Sequence, residues 1–147
     1  MRIRHNGTVD STVISSRQVL LTDGQFHAAR IEVSQGRIRS IAALGRDEPP
    51  TTDLMLAPGF VDLQVNGIED VDVWSTALAA NTTAWERINQ LLLDQGVTSW
   101  CPTLVTAPLD LYRVAIEFVN RQRRVLGTPH VIGVHLEGPF LGGAVGA

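Results

Sequence analysis

Two short stretches of the 147-residue chain carry side chains that could do chemistry: Asp62-Leu63-Gln64-Val65-Asn66-Gly67 and His135-Leu136-Glu137. Alternate side chains of an extended strand share a face, so Asp62, Gln64 and Asn66 would project together, as would His135 and Glu137. Glu137 is the most informative of these, because a carboxylate ending an apolar run costs several kcal/mol to bury unless it is paired or metal-bound. A cation would meet that demand. Backbone amides or an arginine would meet it too, and the residue types leave both readings open. His135 alone reads as a packed histidine with a satisfied ring. Gln64 and Asn66 offer neutral carbonyl oxygens, whereas borderline-soft metals favour imidazole or thiolate, so alone they read as polar groups hydrogen-bonding near a strand end. Trp74, Trp85 and Trp100 read as packing residues, and Cys101 as a small buried hydrophobe.

The elements that must position these groups change character along the chain. Residues 1 to 56 read as strands and turns, with Val and Ile alternating with polar residues. Asp23-Gly24 punctuates one turn. Arg30-Ile31-Glu32-Val33 and Arg37-Ile38-Arg39, separated by Ser34-Gln35-Gly36, predict a β-hairpin. The polar stretch Asp47-Glu48-Pro49-Pro50-Thr51-Thr52-Asp53 closes this all-β section.

From Leu54 onward apolar runs alternate with segments of helical period. Phe60 to Gly67 predicts a strand. A helix is expected from Thr83, with Glu86 completing a capping box and Trp85, Ile88, Leu91 and Leu92 forming its stripe up to Gly96. Val97-Thr98-Ser99-Trp100-Cys101 predicts a second buried strand closed by Pro102. A second helix would be capped by Thr106, with Pro108 in its first turn and Leu111, Tyr112, Ala115, Ile116 and Val119 buried. It would end at Gly127, after Arg121, Arg123 and Arg124 complement its dipole. Val131 to Glu137 predicts the third strand. The order β-α-β-α-β, with two helices, implies an α/β fold of parallel strands buried on both faces, in an open sheet or a barrel. In either, ligands bind at the carboxyl ends of strands, where both chemical stretches lie.

Composition limits the functions. With 44% apolar residues the chain can bury a core. The balance of 12 basic and 15 acidic side chains, a net charge of -3, and the lack of basic residues interleaved with aromatics argue against nucleic acid as a partner. No run approaches the roughly 18 apolar residues of a membrane span. A single cysteine and a polar start, Met1-Arg2-Ile3-Arg4-His5-Asn6, lead us to expect a soluble protein of a reducing cytoplasm.

Two strings, Ala57-Pro58-Gly59-Phe60-Val61-Asp62 and Gly133-Val134-His135-Leu136-Glu137-Gly138-Pro139-Phe140, resemble the N-acetylglucosamine-6-phosphate deacetylases of the amidohydrolase superfamily. Gly96-Val97-Thr98-Ser99-Trp100-Cys101-Pro102-Thr103-Leu104 is similar to the family's second-strand region, so the likeness runs along essentially the whole chain. It implies a partial (β/α)8 barrel, its first three strands and two helices over residues 57-147, preceded by part of a small β-sandwich over residues 1-56. Many amidohydrolases end the first strand with two histidines that help hold a second metal. Gln64 and Asn66 stand at those positions here, which implies one divalent metal ion, zinc, with Glu137 as its first ligand.

The likeness further implies removal of acetate from a phosphorylated N-acetyl amino sugar by metal-activated water. Gln64, Asn66 and His135 would support the ion or its water, and Ala147 would lie in the substrate-binding loop. The remaining histidine ligands and the catalytic aspartate would lie beyond residue 147, so this chain alone is expected to be a truncated, inactive piece of an enzyme that is homo-oligomeric at full length. Two other readings stand beside it: another amidohydrolase, such as a cyclic-amide hydrolase or a deaminase, or a non-catalytic piece that binds a complementary chain. The unpaired outer edge of a third strand would favour self-association.

Overall fold

A computed structural model describes residues 11-140 except 124 and 126, so Arg124, Gly146 and Ala147 lie outside the described residues. The chain divides into two compact units at Pro58 and Gly59. In the first, β1 (Ser11–Leu20), β2 (Phe26–Ser34) and β3 (Arg37–Ala43) form an antiparallel sheet in the order β1-β2-β3. Gln35 and Gly36 join β2 to β3 with φ of 52° and 69°. A two-residue loop with both φ positive matches the twist of its strands, and glycine enters that region without strain. The hairpin is where the sequence places it. At the β1-β2 turn, Asp23 accepts hydrogen bonds from the Gln25 amide at 3.0 Å and from His27 Nε2 at 2.7 Å. Those two bonds, the backbone one foremost, hold its carboxyl below the ordinary value.

Arg17 ties the following loop back to β1, its guanidinium donating to the carbonyls of Gly45, Arg46 and Glu48 at 2.8, 2.9 and 2.6 Å. Among the described residues of this unit there is one sheet, not the two layers of a sandwich, and Ile38 and Ile41 are exposed.

The second unit is α/β. It runs β4 (Phe60–Val65), β5 (Gly67–Ile68), β6 (Val71–Asp72), α1 (Val73–Leu78), α2 (Thr82–Asp94), β7 (Val97–Val105), α3 (Leu109–Gln122), β8 (His130–Val131) and β9 (His135–Glu137). Strand β7 is central, with β4 parallel on one side and β8 then β9 parallel on the other. Three parallel strands with connecting helices are common to open sheets and barrel segments, and the described strands do not close on themselves. No described helix is long and apolar enough to cross a membrane.

Several local expectations are corrected. Among the described residues there are three helices, not two: Asp72 accepts from the Ser75 amide and so starts the short helix α1 directly after the β5-β6 hairpin. Helix α2 is capped by Asn81, whose side chain accepts from the Ala84 amide, so it starts before Thr83 and without the Thr83-Glu86 box. Asn competes well for that position because its side-chain oxygen reaches the orphan amides of the first turn. Thr106 does not cap α3; Pro108 precedes Leu109 with extended backbone, and no side chain caps the helix. Helix α3 ends at Gln122, well before Gly127. There Arg121 lies in the last turn, and Arg123 donates from Nε to the Val131 carbonyl at 3.2 Å.

Pro102 does not close its strand. Strand β7 continues through it to Val105, with Pro102 paired to Val65. A proline has no N–H to give a ladder. The third strand pairs Val131 with Trp100, gives a last bond from the Ile132 amide to the Trp100 carbonyl at 3.0 Å, leaves the ladder, and rejoins with His135 opposite Thr103. The single third strand expected over Val131–Glu137 is thus two short ones that flank the proline. Burial on both faces also fails for β4, where Phe60 and Leu63, on opposite faces, are 69% and 62% exposed because no described segment covers them.

The core of this unit lies between β7 and its helices. Trp85 of α2 meets Trp100 of β7 at 5.1 Å between ring centroids and Phe118 of α3 edge-on at 5.3 Å. All three rings are buried, with Ile88, Leu92, Leu104, Ala115 and Val119 around them. Trp74, half-buried, packs on Tyr112 at 5.5 Å. Replacing Trp100 with alanine is expected to lower unfolding free energy by about 3–5 kcal/mol, since a fully buried indole leaves a cavity that rigid neighbours cannot fill. Urea denaturation followed by circular dichroism checks it.

Candidate functional site

The parallel register places the chemical residues. Glu137, the last residue of β9, lies opposite Val105, the last of β7. Asn66 follows β4 at the same end of the sheet. From there its Nδ2 donates to Glu137 Oε2 at 2.9 Å, and Gln64 Nε2 reaches the same oxygen at 3.5 Å, a marginal bond. Three residues that are 71 and 73 positions apart in pairs thus converge across the central strand. Oε1 of Glu137 is engaged by neither carboxamide.

Glu137 is exposed, contrary to the burial that its apolar context suggests. The strand ends open to solvent there, so desolvation alone does not demand a cation. His135 is half-buried and donates from Nδ1–H to the Leu63 carbonyl at 3.2 Å. A carbonyl can only accept, which assigns the proton to Nδ1 and leaves Nε2 as the second ring nitrogen. His135 therefore links β9 to the backbone of β4. Asp62 turns away from the cluster to accept from the Gln64 amide at 3.1 Å. Beside Asn66, a surface pocket of about 310 Å³ is lined by Gly67, Glu69, Asp70, Val71 and Asp72, with Arg87 donating to Glu69 and Asp70 at 2.9 and 3.2 Å.

As a metal site the described set is partial. Among the described residues no three His, Cys, Asp or Glu side chains converge, and Glu137 is the only anionic member of the cluster. It fits one ligand position: a carboxylate at a strand end, oriented by two N–H donors on one oxygen, with no side-chain hydrogen bond to the other among the described residues. Cys101 is half-buried and free.

Sequence reasoning missed Thr106 as a neighbour of this cluster. Its hydroxyl donates to the Glu137 carbonyl at 3.0 Å, a contact that no local spacing announces because it joins residues 31 apart. Tyr112 was legible only as core; its hydroxyl donates to the Val105 carbonyl at 2.7 Å.

No family model matches the chain. Over 90 residues it is 43% identical to the N-acetylglucosamine-6-phosphate deacetylase of Bos taurus, a match over 59% of this chain and 21% of that protein. Over 130 residues it is 29% identical to the N-acetylgalactosamine-6-phosphate deacetylase of Escherichia coli O157:H7, a match over 87% of this chain and 33% of that one. A point mutant of N-acetyl-D-glucosamine-6-phosphate deacetylase from Mycobacterium smegmatis, solved in complex with N-acetyl-D-glucosamine-6-phosphate, superposes with a TM-score of 0.69 at 25% identity, covering 89% of this chain and 33% of that chain. N-acetylglucosamine-6-phosphate deacetylases are thus homologues of this chain over part of its length, and the chain spans about a fifth to a third of the relatives it matches.

The geometry predicts a gain of function at this cluster. Placing imidazoles beside Glu137 with Gln64→His and Asn66→His together would bring two nitrogen ligands and a carboxylate within reach of one ion. Zinc affinity is expected to rise at least about tenfold over the unmodified protein, since imidazole suits this ion far better than a carboxamide. Competition titration against a chromophoric chelator measures it.

Proposed function

We propose that this chain is part of a metal-dependent amide hydrolase that removes acetate from a phosphorylated N-acetyl amino sugar, with Glu137 as one ligand of a single divalent ion, zinc. The observation that carries this reading is the convergence of Gln64 and Asn66 on one oxygen of Glu137 at the carboxyl ends of parallel strands. Homology to N-acetylglucosamine-6-phosphate deacetylases supplies the reaction class. One anionic ligand does not hold zinc, so the centre is completed by residues outside those described. The second unit would then be the opening portion of a (β/α)8 barrel, whose later strands cover the exposed β4, and the first unit part of a sandwich.

Bound at Glu137, the ion supplies Lewis-acid chemistry, polarising an amide carbonyl and acidifying water. The chain's own residues do the rest of what can be assigned here. Glu137 contributes negative charge through Oε1. Asn66 and Gln64 set the rotation of its carboxylate by donating to Oε2, and each keeps a second N–H and a carbonyl oxygen for water or substrate. His135 holds the backbone that carries Gln64. Residue types at 64 and 66 also favour a linear amide over a cyclic one within this reading, since the histidine pair of the two-metal hydrolases is absent. Whether the sugar is of the gluco or galacto configuration is a matter of the substrate loop, and we assign the gluco form from the greater number of relatives so named. A reducing cytoplasm suits the free Cys101.

The test is direct. The intact protein as produced by its host is expected to release acetate from N-acetylglucosamine-6-phosphate and to lose that activity on chelation, with Glu137→Gln lowering kcat/KM at least about a hundredfold through loss of the ion. The isolated 147-residue polypeptide is expected to release none. Hydrolysis of a cyclic amide in place of the sugar phosphate, or full activity in the Glu137→Gln variant, would refute the reading.

A further inference from the structure

We infer that Thr106 is a positioning residue for Glu137: its hydroxyl holds the backbone of the carboxylate at the point where the strand ladder stops. The inference rests on the assignment of Glu137 as a metal ligand and adds a residue to the machinery that orients it.

Pairing of β7 with β9 ends at Val105 opposite Glu137. Beyond that pair the ladder stops, and among the described residues no backbone hydrogen bond to the Glu137 carbonyl continues it. Two hydroxyls take over from the ladder. Tyr112, buried and packed on Trp74, donates to the Val105 carbonyl at 2.7 Å and fastens the end of β7 to α3. Thr106, the next residue of that fastened end, donates to the Glu137 carbonyl at 3.0 Å. The end of β9 is thereby tied through Thr106 to a strand that is itself anchored in the core.

Gly138 shows independently that this approach is built in. Its φ is 102°, in the left-handed region that side chains avoid, and a Cβ there would run into the hydroxyl and Cβ of Thr106. The chain therefore turns out of β9 directly against Thr106, and only glycine permits it. With the backbone of Glu137 held by Thr106 and its Oε2 held by Asn66 and Gln64, one carboxylate is oriented from two directions, and none of these three bonds engages Oε1. The Thr106 bond is exposed to solvent, so its net contribution to folding is small. Its effect belongs to orientation.

The experiment compares Thr106→Val, which removes the donor and keeps the shape, with Thr106→Ser, which keeps the donor, in the intact protein as produced by its host. Zinc affinity by chelator competition is expected to fall about tenfold or more in Thr106→Val and to stay within about twofold of the parent in Thr106→Ser. The side-chain amide resonances of Asn66 and Gln64 are expected to shift in the valine variant alone, in the presence or absence of metal, while the melting temperature of both variants stays near the parent. Should the valine variant fail to fold, Thr106→Ala takes its place in the same comparison. Unchanged zinc affinity together with unshifted amide resonances in Thr106→Val would overturn the role, as would an equal loss in Thr106→Ser. If the parent protein takes up no zinc yet the amide resonances shift in the valine variant alone, the positioning role stands and the assignment of Glu137 as a metal ligand falls.

Discussion

Everything in the second unit is referred to the register of β7. Because its pairing with β4 and with β9 is parallel on both sides, the carboxyl ends of all three strands face one way, and Glu137 meets Gln64 and Asn66. That register is held from the helix side by Trp100, which is fully buried between Trp85 and the rest of the core. Indole rings of that size fit only one alignment of helix and strand. A slip of one residue along β7 would turn Trp100 out of the core and move Glu137 away from both carboxamides.

Pro102 imposes the second constraint. A proline inside a central strand withholds one ladder donor, and the third strand leaves the sheet after the Ile132 amide bonds the Trp100 carbonyl and returns at His135. What returns is a three-residue strand, His135–Glu137, too short to be rigid by pairing alone. Its stiffness comes from side chains: the His135 ring on the Leu63 carbonyl, the Thr106 hydroxyl on the Glu137 carbonyl, and the two carboxamides on Oε2. Each of these partners comes from β4, β7 or the segments just beyond them, so the cluster is a cross-sheet device that no single element builds.

Exposure at this end of the sheet bears on what the cluster can do. A buried carboxylate would have been forced to find a cation or change its protonation, whereas exposed Glu137 is oriented while still open to water. Among the described residues Glu137 is the only acidic member of this cluster, held through Oε2 by two carboxamides, and no three His, Cys, Asp or Glu side chains converge there. The apolar side chains of β4, Phe60, Val61 and Leu63, are likewise exposed.

Much of this was written in local sequence. The Gln35-Gly36 hairpin follows from a turn only a positive φ can make, the helical stripe of Trp85, Ile88 and Leu92 follows from side-chain periodicity, and the placement of Gln64, Asn66 and Glu137 at strand ends follows from where apolar runs meet glycine. Caps and strand ends were less legible. Asn81 and Thr83 are both competent caps, and Thr106 is as good a cap by type as it is a donor to a distant carbonyl, so only the packed chain could choose. The exposure of Glu137 and of β4 was equally invisible, since burial depends on which segments cover a strand. Residue type and period thus determined which groups could act and at which end of the sheet they would lie. Tertiary structure alone decided that Asn66, Gln64 and Thr106 share Glu137, because those contacts join residues between 31 and 73 positions apart, and parallel pairing brings them together without any mark in the intervening sequence.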